Sequence, residues 1–238
     1  MRPFVSARLP ALLLILFLSG CGILRPGITG SGISRSEYRQ VETFEEVNLS
    51  GFGTVNVFAG NVSVGGRPTV RVTTDNNLLS HVDTQVENGK LKIKPRGRIK
   101  PKTGLNVDVT VPHLTAARVS GAGDLNIIDV VGDELDLSIS GAGNVNANGY
   151  VKNLTTSISG AGDADLRDLY SETASVRISG VGDANVYASE SIKARISGAG
   201  DVHCYGNPTH VDHKVSGVGD FEIKTDDGPV EYTLGDVQ

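Results

Sequence analysis

A short pattern of small, apolar and polar residues recurs six times in the second half of the chain. Each copy is a Ser-Gly-Ala/Val-Gly-Asp/Asn corner, and successive copies lie 18 to 20 residues apart. The residue before each Ser, and the first and third residues after each Asp or Asn, are apolar, whereas the residues between them are polar. This alternation predicts short β-strands on both sides of each corner, each with one buried face. The corners begin at Ser120, Ser140, Ser159, Ser179, Ser197 and Ser216.

The regular spacing predicts how these strands are arranged. A unit of about 19 residues cannot bury its apolar face alone, but stacked units bury a continuous core. A β-helix makes each unit one coil, whereas a propeller or a sandwich makes each unit a hairpin. The near-constant length and the like residues in each column favour coils. We therefore predict an all-β fold, a right-handed parallel β-helix (solenoid), with regular repeats over residues 113–225.

The segments on either side of the repeats lack this period. Residues 41–112 contain alternating strand patterns separated by turn signals such as Glu87-Asn88-Gly89. A solenoid needs its ends covered by irregular units. We therefore predict an irregular β N-terminal cap region, or longer irregular coils, over residues 41–112, and a C-terminal tail or cap over residues 226–238.

The first 20 residues have the pattern of an export signal. Two arginines precede an apolar run at residues 11–18, which is too short to span a bilayer. The run ends in Leu18-Ser19-Gly20-Cys21, which is similar to the lipobox of bacterial lipoproteins. That resemblance implies cleavage before Cys21 and acylation, typically by palmitate-like chains, of its thiol and its new amino group. We predict a lipoprotein signal peptide over residues 1–20; the alternative is an ordinary signal peptide with a chance cysteine.

Lipidation of Cys21 predicts where the mature protein resides. The next residue is Gly22 rather than Asp, which in such lipoproteins goes with sorting to the outer membrane. Residues 21–40 are rich in Gly, Ser and Pro up to Ser36, so we predict a flexible tether between the lipid and the body. Acylation of Cys21 leaves Cys204 without a disulfide partner. We expect a protein of the cell envelope, held at the outer membrane by its lipid.

The order of motifs along the body resembles a known bacterial family. A degenerate corner, Ser50-Gly-Phe-Gly53, is followed by Asn76-Asn-Leu-Leu79, Asn88-Gly-Lys-Leu-Lys-Ile93 and Val109-Thr-Val-Pro-His-Leu114, and then by the repeated corners. This order is similar to that of the family described as "putative auto-transporter adhesin, head GIN domain", over about residues 41–225. The resemblance implies a β-helical fold on exported or surface proteins.

The Asp or Asn that ends each corner would form a column along one edge of the stack. Carboxylates about 5 Å apart repel one another unless they are compensated. Hydrogen bonds from backbone N–H groups of the turn provide one compensation, and we favour this structural interpretation. The alternative is a calcium ladder, because Ca²⁺ prefers rows of oxygen ligands. The candidate calcium ligands are Asp124, Asp163, Asp183, Asp201 and Asp220.

A second polar column lies two residues further along each unit. By alternation these residues face outward on the same strands as the first column. Stacked asparagines can form amide ladders, so we interpret this column as a stabilising exterior or as the rim of a shallow polar surface. Its members are Asn126, Asn146, Asp165, Asn185, His203 and Glu222.

Two other groups of residues suggest a chemistry. A basic row could contact anionic lipid headgroups or lipopolysaccharide phosphates, but we favour a charged edge strand that blocks aggregation. This row comprises Lys90, Lys92, Lys94, Arg96, Arg98, Lys100 and Lys102. His203, Cys204, His210 and His213 have spacings seen in zinc sites. The repeat places Cys204 and His213 inward and His203 outward, so we expect no metal there.

Composition narrows the function classes. The net charge of −5 argues against nucleic-acid binding. No nucleophile elbow, P-loop, dinucleotide fingerprint or zinc-protease motif is present in the sequence, and we expect no cofactor. We predict a non-catalytic, lipid-anchored envelope protein with an adhesin-like binding surface for a glycan, envelope or host-surface ligand. The alternatives are a periplasm-facing structural or regulatory lipoprotein and a polysaccharide-active β-helix enzyme, for which sugar-stacking Trp is absent and Tyr is the substitute.

Overall fold

The computed structural model describes residues 27–60 and 66–224. Cys21, the predicted signal peptide over residues 1–20 and the predicted tail over residues 226–238 lie outside these ranges. The fold is all-β, as predicted, with one mixed sheet of 17 strands and a small sheet of two strands. In the described ranges the one helical element is a short 3₁₀ turn at Leu79–His81. No helix in this part of the chain has the length and hydrophobicity needed to cross a membrane.

The strands divide into an irregular N-terminal set and a regular set in the repeats. The first set is β1 (Ile28–Thr29), β2 (Ser34–Arg39), β3 (Glu46–Leu49), β4 (Phe52–Ala59), β5 (Thr69–Asp75), β6 (Val82–Glu87), β7 (Lys90–Pro95), β8 (Ile99–Lys100) and β9 (Asn106–Val111). The second set is β10 (Ala116–Val119), β11 (Ala122–Ile139), β12 (Val145–Ile158), β13 (Ala164–Leu166), β14 (Leu169–Ile178), β15 (Ala184–Tyr187), β16 (Ser191–Ile196), β17 (Val202–Tyr205), β18 (His210–Val215) and β19 (Phe221–Lys224).

Successive repeat units pair in parallel, and each residue lies opposite its counterpart in the next unit. Ile139 is paired with Ile158, and Ile158 with Ile178. The same column continues through Ile196 to Val215. Parallel pairing with an offset of one whole unit excludes the hairpin alternative for these units, because hairpin strands are antiparallel.

The inward columns form an aliphatic core. Side chains such as Leu125, Ile158 and Val186 are at most 1% exposed, and the outward residues between them are half-buried or exposed. Phe44 is the one aromatic residue in the buried core of the described ranges. Stacked strands lie only about 4.8 Å apart, so columns of Val, Ile, Leu and Ala fill the interior without large rings.

The N-terminal strands continue these columns below the first regular unit. Leu49 of β3 is paired in parallel with Val119, and Phe52 of the degenerate corner is paired with Ala122. Antiparallel pairs are confined to this half, where β5 pairs with β2 and β9, and β6 pairs with β7. The region over residues 41–112 therefore consists of longer, irregular layers on which the regular repeats stack.

The segment before residue 40 differs from the predicted flexible tether. β2 is antiparallel to β5, and β1 is parallel to β8. Asp75 holds this segment in place, because its Oδ1 accepts a hydrogen bond from the N–H of Gly32 at 2.6 Å. Its Oδ2 accepts from the N–H groups of Lys102 and Thr103 at 2.8 and 3.1 Å. The tether prediction is thus wrong for the two strands, because composition does not register a partner located 40 residues away.

Asp75 should make the stability of this region depend on pH. The side chain is 0% exposed, and burial raises its pKa, but the hydrogen bonds from Thr103, Gly32 and Lys102 outweigh burial and hold the pKa below its ordinary value. A carboxylate with a lowered folded-state pKa stabilises the fold above its unfolded pKa of about 4, and this contribution is lost as the pH falls through the folded pKa. We expect Asp75→Asn to lower the melting temperature at pH 7 and to flatten its fall below pH 4, measured by circular dichroism.

The exposed carboxylate of Asp136 provides the control for this experiment. Asp136→Asn removes one negative charge from the surface of β11 without breaking a buried network. It should leave both the melting temperature and its acid slope close to those of the wild type. Equal slopes for the wild type and Asp75→Asn would show that Asp75 does not anchor the N-terminal segment.

Candidate functional site

The strands that follow the corners carry two outward columns of polar side chains, which we call the polar face. Inward and outward residues alternate there, as in β15, where Ala184 and Val186 are buried and Asn185 and Tyr187 are half-buried. The first column of the polar face is Asp124, Asn144, Asp163, Asp183, Asp201 and Asp220. The second column is Asn126, Asn146, Asp165, Asn185, His203 and Glu222.

The first column is a ladder of hydrogen bonds between units. The N–H of Asp183 donates to Oδ1 of Asp163 at 2.9 Å, and the N–H of Asp201 donates to Oδ1 of Asp183 at 2.8 Å. The same bond joins every neighbouring pair of the column, at distances from 2.7 to 3.2 Å. The predicted backbone acceptor role is present, but the donor belongs to the next unit rather than to the residue's own turn. Each N–H group offsets part of the repulsion between stacked carboxylates.

The calcium candidates do not converge on a common point. Each unit supplies one side chain of the first column, and these side chains follow one another at the strand spacing of about 4.8 Å. In the ranges that the structure describes, no group of three or more His, Cys, Asp or Glu side chains could hold a metal ion. The observed contacts of Asp124, Asp163, Asp183 and Asp201 are the hydrogen bonds that join one unit to the next.

The second column begins as an amide ladder and extends further than the repeat predicts. Nδ2 of Asn146 donates to Oδ1 of Asn126 at 3.0 Å, and Nδ2 of Asn126 donates to Oδ1 of Asn56 at 2.9 Å. Asn56 in turn donates to Asp108 at 2.9 Å, and Asp108 forms a salt bridge with Arg71 at 2.6 Å. The polar face therefore continues without a break into the irregular N-terminal half.

The amide ladder gives way to charged groups at Asp165. Nε and Nη2 of Arg167 donate to the two carboxylate oxygens of Asp165 at 2.9 and 2.8 Å. This two-point pair lowers the pKa of Asp165 and raises that of Arg167. Because the guanidinium group of Arg167 is planar and donates two hydrogen bonds, it fixes both side chains in one orientation on the surface.

The polar face is shallow. Its two columns line a groove of about 560 Å³ from Thr54 to Asn185. A smaller hollow of about 260 Å³ adjoins it and shares Asn126, Asn146 and Asp165. Both hollows are open to solvent, so the face is suited to an extended partner that lies along it.

Four tyrosines border the polar face, and the sequence analysis missed them. Tyr150 is paired with Tyr170 on adjacent strands, and Tyr187 with Tyr205. The rings of Tyr170 and Tyr187 join the two pairs, with centroids 4.7 Å apart and planes inclined by 52°. We call these four residues the tyrosine cluster. The available signal was composition, because four of the six tyrosines of the chain fall between residues 150 and 205.

The basic row is not the edge strand that we predicted. β7 has partners on both sides, with β3 parallel and β6 antiparallel to it. Several cations of the row form salt bridges with neighbouring acids: Lys90 with Glu46 at 2.7 Å, Lys92 with Glu87, and Arg96 with Asp83. The edge interpretation is therefore wrong for the residues of β7, because β3 and β6 flank this strand on both sides. Lys100 instead lies on β8, which is paired with β1 in the two-stranded sheet.

The histidines and the cysteine of the C-terminal units have different surroundings: Cys204 is buried, His203 is half-buried, and His213, predicted to lie inward, is exposed. Cys204 is fully buried, and burial raises the pKa of its thiol to about 11, so the thiol stays protonated at neutral pH. His203 lies outward with Nε2 3.7 Å from Glu222, and the ring of His213 stacks on Phe221 with centroids 4.7 Å apart. These positions do not form a zinc site.

The fold and the polar face define a stacked all-β protein with an extended, open outer surface. The chain belongs to the bacterial family described as "Putative auto-transporter adhesin, head GIN domain", which matches residues 43–208. No curated protein matches the chain.

Two of the solved structures similar to this chain come from Bacteroides fragilis and Parabacteroides distasonis. One, titled "putative adhesin" from Bacteroides fragilis NCTC 9343, superposes with a TM-score of 0.68 at 20% identity, over 83% of this chain and 100% of that chain. A "Putative lipid binding protein" from Parabacteroides distasonis ATCC 8503 superposes with a TM-score of 0.54 at 21% identity, over 84% and 100%. At these identities the likeness shows a shared fold.

Proposed function

We propose that this chain is a non-catalytic, lipid-anchored protein of the cell envelope that binds a partner through its polar face, in the manner of an adhesin. The observation that carries the proposal is the unbroken surface of outward polar side chains from Asp108 and Asn56 to Asn146 and the units beyond. A surface built from stacked units can contact a long or repeated partner at many points. Membership of a family described as adhesins supports this use.

The anchor in this proposal is the lipid on Cys21, at the outer membrane. The apolar run and the Leu18-Ser19-Gly20-Cys21 sequence support lipidation, and Gly22 supports outer-membrane sorting. Several acyl chains exceed the two signals that stable membrane anchoring requires. The first described strand, β1, starts only seven residues after Cys21, so the body would be held close to the membrane.

The proposed scaffold is a right-handed parallel β-helix. The parallel, one-unit register from Val119 to Val215 supports coils, because each strand meets its counterpart in the following unit. Right-handed connections between parallel strands are the general rule. In this architecture the polar face runs along one side of the stack.

The absence of catalysis is also part of the proposal. Hydrolysis of a glycosidic bond usually requires two carboxyl groups that flank that bond. The carboxylates of the first column instead point along the stack and accept hydrogen bonds from the following unit, as Asp163 does from Asp183. This arrangement favours binding over the polysaccharide-active alternative. Turnover of a polysaccharide that is lost in Asp163→Asn would contradict it.

A surface experiment tests the proposed function. When protease is added to intact cells that produce the full chain, it should degrade the protein. The same cells, without protease, should adhere to a target surface better than cells that lack the protein. Asn146→Arg, which places a large cation on the polar face, should reduce adhesion. Thr155→Arg is the matched control, because Thr155 is an exposed residue of the same strand that lies outside the polar face. Complete protection from protease would instead support the periplasm-facing alternative.

A further inference from the structure

We propose that the tyrosine cluster is a carbohydrate-binding platform, so that the partner of the polar face is a glycan with neutral sugar rings. This inference rests on the proposed binding function and names the class of its ligand. The cluster consists of Tyr150, Tyr170, Tyr187 and Tyr205. The Arg167–Asp165 pair lies beside it.

The tyrosines lie on four successive units, and the rings of two of them are in direct contact. Tyr150 and Tyr170 are neighbours on β12 and β14, and Tyr187 and Tyr205 are neighbours on β15 and β17. The contact between the rings of Tyr170 and Tyr187 closes the gap between the pairs. Three strand spacings give the cluster a length of about 14 Å, which is long enough for more than one sugar ring.

Packing of the core does not require these rings. The interior consists of aliphatic side chains, with Phe44 as its one buried aromatic residue in the described ranges. The rings of the cluster lie outside this core: Tyr150 is 42% exposed, and the other three residues are half-buried. The hydroxyl of Tyr170 is buried. A partly exposed tyrosine such as Tyr150 offers an apolar ring and a polar hydroxyl at once, which matches the CH faces and hydroxyl groups of a sugar.

Groups that can bind sugar hydroxyls lie directly beside the cluster. Tyr187 and Tyr205 follow Asn185 and His203 by two residues on the same outward side of their strands. The guanidinium carbon of Arg167 lies 5.8 Å from the centroid of the Tyr205 ring, while its Nε and Nη2 are held by Asp165. The hydroxyl of Tyr150 donates to Glu172. Amide, imidazole, carboxylate and guanidinium groups on a flat face together provide both donors and acceptors.

The local charge favours a neutral glycan over an anionic surface. Arg167 is paired with Asp165, so this pair carries no net charge. Near Tyr150, Glu172 and Glu190 are negative. The nearby cation Lys152 forms a salt bridge with Asp133. An anionic lipid headgroup or a nucleic acid would need an excess of cations at the site. The tyrosine cluster has no such surplus of cations, but it has aromatic rings and hydrogen-bonding groups that a neutral sugar can contact.

Intrinsic fluorescence gives a direct test, because the chain has no Trp and four of its six tyrosines lie in the cluster. The full mature chain would be titrated with tetrasaccharides of glucose, of galactose and of N-acetylglucosamine, followed by tyrosine emission and by calorimetry. We expect at least one tetrasaccharide to bind and to change the emission. Tyr187→Ala and Tyr205→Ala should each weaken that binding about tenfold. Tyr187→Phe should keep most of that binding, because it retains the ring and loses only the hydroxyl.

The controls separate ring stacking from a general loss of structure. Tyr38 is 68% exposed on β2, outside the cluster, so Tyr38→Ala should bind the tetrasaccharide as the wild type does. Thermal melts would verify that each alanine variant is folded under the conditions of the titration. Binding that is unchanged in both folded alanine variants would overturn the assignment to the cluster.

The surface experiment distinguishes failure of this inference from failure of the proposed function. If no tetrasaccharide binds while cells that carry the chain still adhere, the glycan class is wrong and the adhesive function stands. If the cells do not adhere and no tetrasaccharide binds, both are wrong. Adhesion that is inhibited by the bound tetrasaccharide would support both.

Discussion

Replacing Gly180 with alanine should lower the free energy of unfolding by about 3 kcal/mol, the upper end of the usual range for a single overpacked site. A Cβ atom at this position would lie 2.0 Å from the carbonyl oxygen of Gly160 in the preceding unit. That oxygen also accepts the N–H of Val181 at 2.9 Å, so it cannot move away without breaking the bond that joins the two corners. The result would be measured as a loss of melting temperature and of denaturant midpoint by circular dichroism.

Gly132 provides a matched control for the same substitution. It lies in β11, and the nearest atom to a Cβ atom built there is the carbonyl oxygen of Glu134 at 3.9 Å. Gly132→Ala should therefore change the free energy of unfolding by less than about 1 kcal/mol, and it can even stabilise the fold by restricting the unfolded chain. If Gly180→Ala melted like Gly132→Ala, the corners could not approach one another as closely as the structure has them.

The close approach of the corners explains why the repeat half could be predicted from its sequence. In a stack of like units, every residue meets its own counterpart, so a steric demand at one level recurs at each level. Gly160 and Gly180 are glycines for the same reason, and the alternation around them repeats with the same period. Residues that are one period apart in the sequence are therefore neighbours in the structure, which is why parallel, in-register pairing could be predicted.

The N-terminal half could not be predicted in the same detail because its contacts are not periodic. The pairing of β2 with β5 depends on Asp75, which holds Gly32 from a position 43 residues away. Nothing in the Gly- and Ser-rich composition of residues 22–36 indicates that partner. The basic row was assigned to a sheet edge for a related reason: a strand's own sequence does not show that β3 lies beside it.

The candidate site was predicted only as far as the period extends. Both columns of the polar face follow from the repeat, but their bonds reach across units, as between Asp163 and Asp183. The tyrosine cluster could not be predicted from the repeat because its members follow the corners at different distances along the chain. Tyr150 and Tyr170 are 20 residues apart, whereas Tyr170 and Tyr187 are 17 apart, so no single column of the aligned repeat contains all four.

A second large effect is expected in the core, where Ile158→Ala should lower the free energy of unfolding by about 3–4 kcal/mol. Ile158 is 0% exposed and lies between Ile139 and Ile178 in the inward column that precedes the corners. Truncation removes buried methyl and methylene groups and leaves a cavity with fixed walls, since the backbones above and below are held by the parallel ladder. Equilibrium unfolding in urea, with the slope compared between variants, would measure the loss.

Two valines of the same column show whether this loss comes from stacking. Val119 is 0% exposed and lies between Leu49 of β3 and Ile139 of β11. Val215 of β18, the last described residue of the same column, is 37% exposed. The identical change to alanine should therefore cost about 2 kcal/mol at Val119 and less than about 1 kcal/mol at Val215. Equal losses at the two sites would mean that another part of the protein covers Val215 as completely as the stack covers Val119. A small loss at Val119 together with a small loss in Ile158→Ala would contradict a core built from stacked, in-register units.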